Sequence, residues 1–454
     1  MLKILHYALG LSPYRSGGTP AFVEYLIDMQ QKRGHDISLL YPGHYSFWRK
    51  KKSKIVFCEK LYKNIKSYEI VNPKLIPLCN GVSEVADYLR EYDKNFWDDF
   101  FSEYKPDIIH VHTLFGLDSS FFVYCKKNKI KTIFTVHDLF GVCPKTVPLM
   151  FDLCKCKVSK LCSVCSKKSF TNNQIYILQS NYYLKLKQNV FVSLVKGLAI
   201  KRRAKFQINQ YEHERMEKSL VNCPSTEYRD FQNYYLSLIK QFDHVHFNSK
   251  LTCDLVSRFV DLKSFSITNI LNKSISDNRY MHDKRINIEK IRFLMLGTNL
   301  GMHYVLSILD EIWESGIHNF DLTIYSNNQC DSRPYLIKYG SYKKEQLKDL
   351  FNTTDLLIFN EVYFSTFSYI ILESLSFGVP CLVSGNVGAK DLVSGINGGF
   401  VVEKENIKKT IISILRNPAL IKEKQDALRS ANLNFEKDDF INTYSLLLKD
   451  RKNV

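Results

Sequence analysis

Residues 364–399, FSTFSYIILESLSFGVPCLVSGNVGAKDLVSGINGG, constrain the fold most, because they fit a helix start, a helix, a stop and a strand into one short unit. Ser365, Thr366 and Ser368 are cap-type residues ahead of the apolar run Ile370, Ile371, Leu372 and Leu375. Unpaired backbone N–H groups should therefore point out of that helix start, and such an end attracts phosphate. Glu373, inside the helix, has the two acceptor oxygens needed to hold adjacent hydroxyls, as on a ribose. Gly378-Val379-Pro380 stops the helix, and CLVS reads as the next parallel strand. An ordinary strand–helix–strand unit with Glu373 on a solvated face is the alternative.

The stretch resembles the donor-site signature of the GT-B glycosyltransferases of family 4, E-G-F-G-x-x-x-x-E-A-x-A-x-G-x-P. Phe367, Glu373, Gly378 and Pro380 are identical to it, Thr366, Ser368, Ser374 and Ser376 are small or polar replacements, and Val387-Gly388 to Leu392-Val393 continues the likeness. Ser365 stands where the first Glu of the family's carboxylate pair is expected. The resemblance implies donor binding by Thr366, Phe367, Ser368 and Glu373, with Glu373 on the ribose and Ser365 on the catalytic, sugar side.

A chain of 454 residues exceeds one hydrophobic core, so two domains are expected. Hydrophobic residues make up 45% and charged residues 24%, as in a soluble globular protein. No apolar run is long enough to span a bilayer, and MLKILHYALGL is too short for a signal peptide, so a cytoplasmic location is expected. The net charge of +17 favours polyanionic partners: nucleotide diphosphates, an acidic membrane face or nucleic acid. Nucleic acid rests on charge alone, since no recognised binding motif is present.

Along the first half, LKILHYAL, the loop SPYRSGGTP and AFVEYLIDMQQKRGHDI read as strand, loop, helix and strand. Thr19 should cap that helix with Pro20 at its first position, and Gly17 and Gly18 let backbone approach a ligand. The family carries a similar Gly-Gly loop against donor phosphates and acceptor. VADYLREYDKNFWDDFFSEY reads as one helix before the strand PDIIHVHTL, and SSFFVYCKKNK as a helix before KTIFTVHD. Such alternation predicts a parallel sheet covered on both faces, with ligands at the strands' carboxyl ends. His112, His137 and Asp138 fall at those ends, and the family often has a His at the place of His137 beside the donor sugar. A purely structural role is the alternative for both histidines, and His110 is left in the core.

Cys143, Cys154, Cys156, Cys162 and Cys165 crowd the following loop. In a chain without a secretion signal they read as free thiols or as a structural zinc site, with Cys154, Cys156, Cys162 and Cys165 as ligands. No metal or other cofactor is expected in catalysis. Residues 176–205 turn aromatic and basic, from Lys185 and Lys187 to Lys201, Arg202, Arg203 and Lys205, as in a helix lying on an anionic membrane or a solvated helix packed on its domain.

In the second half FDHVHFNSKLTCDLVSRF resembles the opening of the second GT-B domain, which puts the linker near Thr226 to Lys240. KIRFLMLGTNLGMHYVLSILDEI reads as strand, loop and helix, with Gly297 and Thr298 at the phosphate side. The family's Arg and Lys clamp is missing there, where this chain has Thr298 and Leu300.

The expected fold class is α/β, two Rossmann-like doubly wound domains (GT-B architecture) facing an interdomain cleft. The expected domains are 1–225, with an insertion at about 143–215, then 241–430, and a helix in 431–454 packing back toward the first. The resemblance implies transfer of a sugar from a nucleotide-diphosphate donor to a glycan or lipid-linked acceptor, with retention, in cell-surface polysaccharide biosynthesis such as lipopolysaccharide or capsule. A degenerate GT-B protein that binds nucleotide or a partner transferase without catalysis is the alternative.

Overall fold

The computed structural model describes residues 1–12, 15, 17–46, 52–62, 64–78, 81–145, 162, 166, 169–186, 226–269, 275–280, 289–297, 301–327, 330–361, 364–433 and 440–449. The chain forms two compact units. The first comprises Met1–His246, Leu255–Ser266 and Asp439–Val454, and the second Phe247–Asp254 and Ile267–Asp438. No helix among the described residues is long and apolar enough to cross a membrane.

The first sheet contains β1 (Lys3–Tyr7), β2 (Asp36–Pro42), β3 (Lys54–Tyr62), β4 (Ile65–Val71), β5 (Ile108–Val111), β6 (Lys131–Val136), β7 (His244–Phe247) and β8 (Phe265–Ile267). Their order is β3-β4-β2-β1-β5-β6-β7-β8. β1 pairs in parallel with both β2 and β5, so the winding reverses between β1 and β5. Helix α1 (Gly18–Lys32) leaves the end of β1 and buries Phe22, Val23, Leu26, Ile27 and Gln30. The short strand β5 is buried at every residue, the pattern of a central strand covered on both faces.

The second sheet is wholly parallel: β9 (Ile291–Leu296), β10 (Phe320–Tyr325), β11 (Leu336–Tyr339), β12 (Leu356–Phe359), β13 (Cys381–Ser384) and β14 (Gly399–Val402), in the order β11-β10-β9-β12-β13-β14. The chain winds outward from β9 to β11 and then returns to the other side of β9, so the switch point lies between β9 and β12. At the amino end of that pair Arg292 grips the buried Asp355 through two guanidinium nitrogens, at 2.9 and 2.7 Å, which fixes the register of the two strands. The core packs Ile291, Phe293 and Leu309 on one face and Leu294, Phe351 and Leu375 on the other.

Five expectations change. The segment read as one helix over 85–104 is two, Ala86–Leu89 and Phe96–Glu103. Between them Arg90 is extended, the Tyr92 N–H donates to Asp118 at 2.7 Å, and the Tyr92 ring stacks on Phe96. The proposed linker at Thr226–Lys240 is a helix, Thr226–Ile239, whose Phe231, Tyr235 and Leu238 are buried in the first unit. β7 likewise joins the first sheet rather than opening the second domain at 241. β3 runs antiparallel to β4, so the first sheet is mixed at that edge.

The fifth change concerns α1, which is capped by Gly17 rather than Thr19. Gly17 has φ +128°, a conformation closed to other residues, and this lets the helix begin before Pro20.

Candidate functional site

In the second unit the functional groups gather where β9 and β12 end. β9 closes on Gly297, which has φ +92°, an exposed face and open space where a side chain would stand. The helix Gly301–Glu314 begins so close to β12 that a Cβ on Gly301 would lie 1.7 Å from the Asn360 carbonyl oxygen. That glycine is required by the approach of a helix N-terminus to a strand's carboxyl end. Thr298 and Leu300, in the loop between them, lie outside the described residues.

Beyond β12 the chain is pinned at each step before it enters the next helix. The Glu361 N–H donates to Ser384 Oγ at 3.1 Å, and the same hydroxyl donates back to the Glu361 carbonyl at 3.2 Å. Ser365 and Thr366 are held by the following loop. The Ser365 N–H donates to the Asn386 carbonyl at 3.1 Å, the Gly388 N–H donates to the Ser365 carbonyl at 2.7 Å, and the Thr366 carbonyl accepts from Ser249 Oγ at 2.7 Å. A Cβ on Gly388 would lie 1.8 Å from the Thr366 oxygen, which explains the Val387-Gly388 pair in structural terms. Phe367 packs its ring against the core beside Leu372 and Ile275.

Ser368 is the cap residue of the helix Tyr369–Ser376, yet its hydroxyl makes no capping bond to the first turn. The N–H groups of that turn are therefore not taken by their own cap, as an anion site needs. Gly378, at φ +71°, and the bond from the Val379 N–H to the Ser374 carbonyl at 3.0 Å end the helix and deliver the chain into β13.

Glu373 is half-buried, and loss of water pushes its carboxyl up to about 7, with Lys344 pulling the other way. Glu361 is pushed up to about 7 by burial as well. This second carboxylate, four residues before Ser365, had no motif to announce it. Its position depends on β12 and β13 ending at the same level. Lys344 is the lysine whose charge reaches Glu373.

The first unit places a different chemistry at its own switch point. His6 on β1 is the register partner of His110 on β5, and His112 lies two residues further on the same face. All three are buried. His137, at the end of β6, is half-exposed and meets the Phe22 ring of α1 at 5.3 Å between centroids. Gly17 and Gly18 start that same helix, so the structure brings the Gly-Gly turn and His137 to one end of the sheet. Asp138 follows, its Oδ1 accepting from the Phe140 N–H at 2.9 Å and its carboxyl pushed up to about 6 by burial. His112 is buried, and its Nδ1 stands 3.3 Å from Nε2 of the half-exposed His137. Burial lowers His6 to about 4 and His137 to about 3, and holds His110 and His112 well below the usual imidazole range.

Ligand atoms of His6, His110 and His112 lie within 4.8 Å of one another, which raises the question of a metal. Every ring nitrogen of the three already faces a protein partner at 2.6 to 3.3 Å. The donor set is thus spent on hydrogen bonds. Of the predicted zinc ligands, Cys154, Cys156 and Cys165 lie outside the described residues, while Cys162 is buried and Cys143 half-buried. Most of the basic segment, 187–205, is also outside them.

Residues 16–153 match the family model described as Glycosyltransferase Family 4. None of the curated proteins matches the sequence. Among solved structures, sucrose-phosphate synthase from Thermosynechococcus elongatus superposes with a TM-score of 0.52 at 10% identity, covering 100% of this chain and 98% of that one. WaaG, a glycosyltransferase involved in lipopolysaccharide biosynthesis, gives 0.52 at 14% identity over 99% of both chains. HepE from Anabaena, solved in complex with UDP and glucose, gives 0.52 at 11% identity over 100% of both. At these identities the likeness speaks for the fold. The chain therefore carries a segment that matches Glycosyltransferase Family 4 at residues 16–153, and along its whole length it has the two-sheet α/β fold of these GT-B structures.

Proposed function

We propose that the chain transfers a sugar, with retention, from a nucleoside-diphosphate donor to a hydroxyl of a lipid-linked glycan in cell-surface polysaccharide assembly. The second unit holds the donor at the carboxyl ends of β9 and β12. Backbone N–H groups at the starts of the helices Gly301–Glu314 and Tyr369–Ser376 receive the diphosphate, and Thr366, Phe367 and Ser368 shape its approach. Glu373, ionised, accepts hydrogen bonds from the two ribose hydroxyls. Glu361 supplies at the sugar the carboxylate that Ser365 cannot. The first unit serves the acceptor side, with Gly17, Gly18 and Asp138 around His137.

The leaving diphosphate is stabilised by the helix-end amides and takes up the proton of the incoming hydroxyl as the glycosidic bond to the donor breaks. The observation that carries this reading is the pair of desolvated carboxylates, Glu361 and Glu373, beside two helix N-termini at a switch point of a parallel sheet. Support for the donor class comes from HepE, solved with UDP and glucose, and for the pathway from WaaG. Exposed Tyr182, Leu184 and Leu186, just ahead of the basic run, support peripheral attachment to an anionic membrane. A structural zinc in the Cys154, Cys156, Cys162 and Cys165 loop completes the proposal, and zinc analysis of the purified protein tests it.

The functional test is Glu373→Ala against a panel of nucleotide sugars. Nucleotide binding and turnover should both fall. Unchanged values would remove the assignment.

A further inference from the structure

On the outer flank of the first sheet, away from His137 and Asp138, three strand ends meet. β2 leaves the sheet at Gly43 and His44, β4 leaves it at Asn72, and β3, antiparallel to β4, begins beside them. The register sets Val56 opposite Glu69 and Lys54 opposite Val71, so these four side chains share one face. Glu69 Oε1 accepts from the His44 N–H at 2.9 Å and stands 2.6 Å from His44 Nδ1. A Cβ on residue 43 would lie 1.9 Å from Glu69 Oε1 and displace it, so the glycine is part of this arrangement. Asn72 knits the adjoining wall, with Oδ1 accepting from the Ser46 N–H at 2.7 Å and Nδ2 donating to the Lys52 carbonyl at 3.3 Å. Between these groups lies a cavity of about 490 Å³, whose lining includes His44, Lys52, Lys54, Val56 and Val71.

A carboxylate only accepts, so His44 Nδ1 carries a proton and the ring is held with its other nitrogen to spare. Among the described residues Nε2 of His44 has no partner. Lys52 is paired with Asp93 at 3.4 Å, whereas Lys54 has no ion pair among the described residues. The charge of Glu69 is turned to His44, so the cavity offers a ligand one imidazole nitrogen, one unmatched ammonium and the methyl groups of two valines. Each asks for a different part of one molecule: a hydroxyl, a negative group and a C–H face. A sugar that carries a negative group has all three. The volume falls within the roughly 300–1,000 Å³ of small-molecule sites and is far more than a bare anion fills. β1, β2 and β4 are parallel neighbours in that order, so the cavity lies on the rim that carries Gly17, Gly18 and His137, displaced from β1 by two strand spacings, about 10 Å. A short oligosaccharide covers that length.

We propose that this cavity is an acceptor subsite for a sugar bearing a negative group, carboxylate or phosphate, with Lys54 on the charge and His44 Nε2 on a neighbouring hydroxyl. Its role toward the acceptor rests on the reading above that the first unit serves the acceptor side. Binding of the sugar is a property of the cavity alone.

The test is titration of the full chain, without nucleotide, with methyl β-glucuronide, glucose 6-phosphate, methyl β-glucoside and inorganic phosphate. Histidine ring resonances of 15N-histidine-labelled protein report the contact, with the His44 signal identified by its absence in His44→Gln. At least one of the two charged sugars should shift His44 Nε2 and bind about tenfold tighter than the neutral glucoside, and the one that does so names the negative group. Lys54→Gln should bring that preference to within about twofold, and Gly43→Ala should weaken the charged sugar by about tenfold. Lys54 is exposed, so Lys54→Gln decides even where Gly43→Ala fails to fold. Equal binding of the glucoside, binding of none of the sugars, inorganic phosphate binding as tightly as the charged sugar, or a preference that survives Lys54→Gln would each overturn the proposal. Nucleotide affinity, measured on the same samples, should be unchanged in both variants. The expected sugar binding in a chain that takes no nucleotide would uphold the cavity and overturn instead the donor site of the second unit.

Discussion

The two units share one architectural device and fill it with opposite chemistry. Each sheet reverses its winding at a central strand, at β1 and β5 in the first and at β9 and β12 in the second. The first switch point is lined by imidazoles pushed down to about 4 at His6 and about 3 at His137. The second is lined by carboxyls pushed up to about 7 at Glu361 and Glu373. Desolvation is the leading cause in every case, and it disfavours the charged form of whichever group it acts on. The first site is therefore built as a chain of neutral donors and acceptors, suited to orienting hydroxyls. The second can ionise near neutral pH and grip hydroxyl pairs beside amides that favour anions.

The comparison breaks first at Glu373. Glu373→Ala should weaken nucleotide binding on the order of 100-fold, because two hydrogen bonds to a charged group are lost at about 1.5 to 3 kcal/mol each and the estimate is partly offset by water. Isothermal titration checks it, and a change below about threefold would leave the second switch point without its proposed role. Gly388→Ala should cost about 1 to 3 kcal/mol of stability, since its Cβ would meet the Thr366 carbonyl at 1.8 Å and both loops must shift. A urea series reads this, and the nucleotide affinity should fall with it.

Acidity sharpens the contrast. Glu361 and Glu373 have folded values above the ordinary 4.5, so their contribution to stability is complete below pH 4.5 and is lost as pH rises through about 7. His6 and His137 have folded values below the ordinary 6.5, so their contribution is complete above pH 6.5 and is lost as pH falls through about 4 and about 3. Glu373→Gln should thus flatten the loss on the rising side only, by up to about 1.4 kcal/mol per pH unit, in denaturant midpoints measured between pH 4.5 and 7. The same Glu373 titration predicts that nucleotide binding weakens as pH falls below 7, by at most about tenfold per unit. The smallest effect is Glu361→Gln, which should lower turnover by about tenfold while leaving binding of the bare nucleotide within about twofold.

Much of the fold was legible because strands such as IIHV and CLVS are short, β-branched buried runs between helical patterns, set apart by their length and by flanking residues such as the Pro380 ahead of CLVS. The helix Thr226–Ile239 was mistaken for a linker because its buried residues, Phe231, Tyr235 and Leu238, are spaced among Arg, Asp, Gln and Asn. Glu373, Gly378 and Pro380 could be found because they sit in one continuous segment. Glu361 could not, since its place depends on Ser384 of a neighbouring strand. The imidazole line was visible only in fragments. His110 with His112, and His244 with His246, alternate along their strands, but Gln30 joins them only when α1 and the C-terminal helix Ile441–Lys449 fold onto the same face.

Hydrogen exchange of backbone amides, with and without whichever of UDP, ADP, GDP and dTDP binds, tests the central claim most directly. Ligand should slow exchange at the start of the helix Tyr369–Ser376 and in residues 365–368, with a second protected patch where Gly301–Glu314 begins. Protection confined to the first unit, or a protein that binds none of the four, would contradict it.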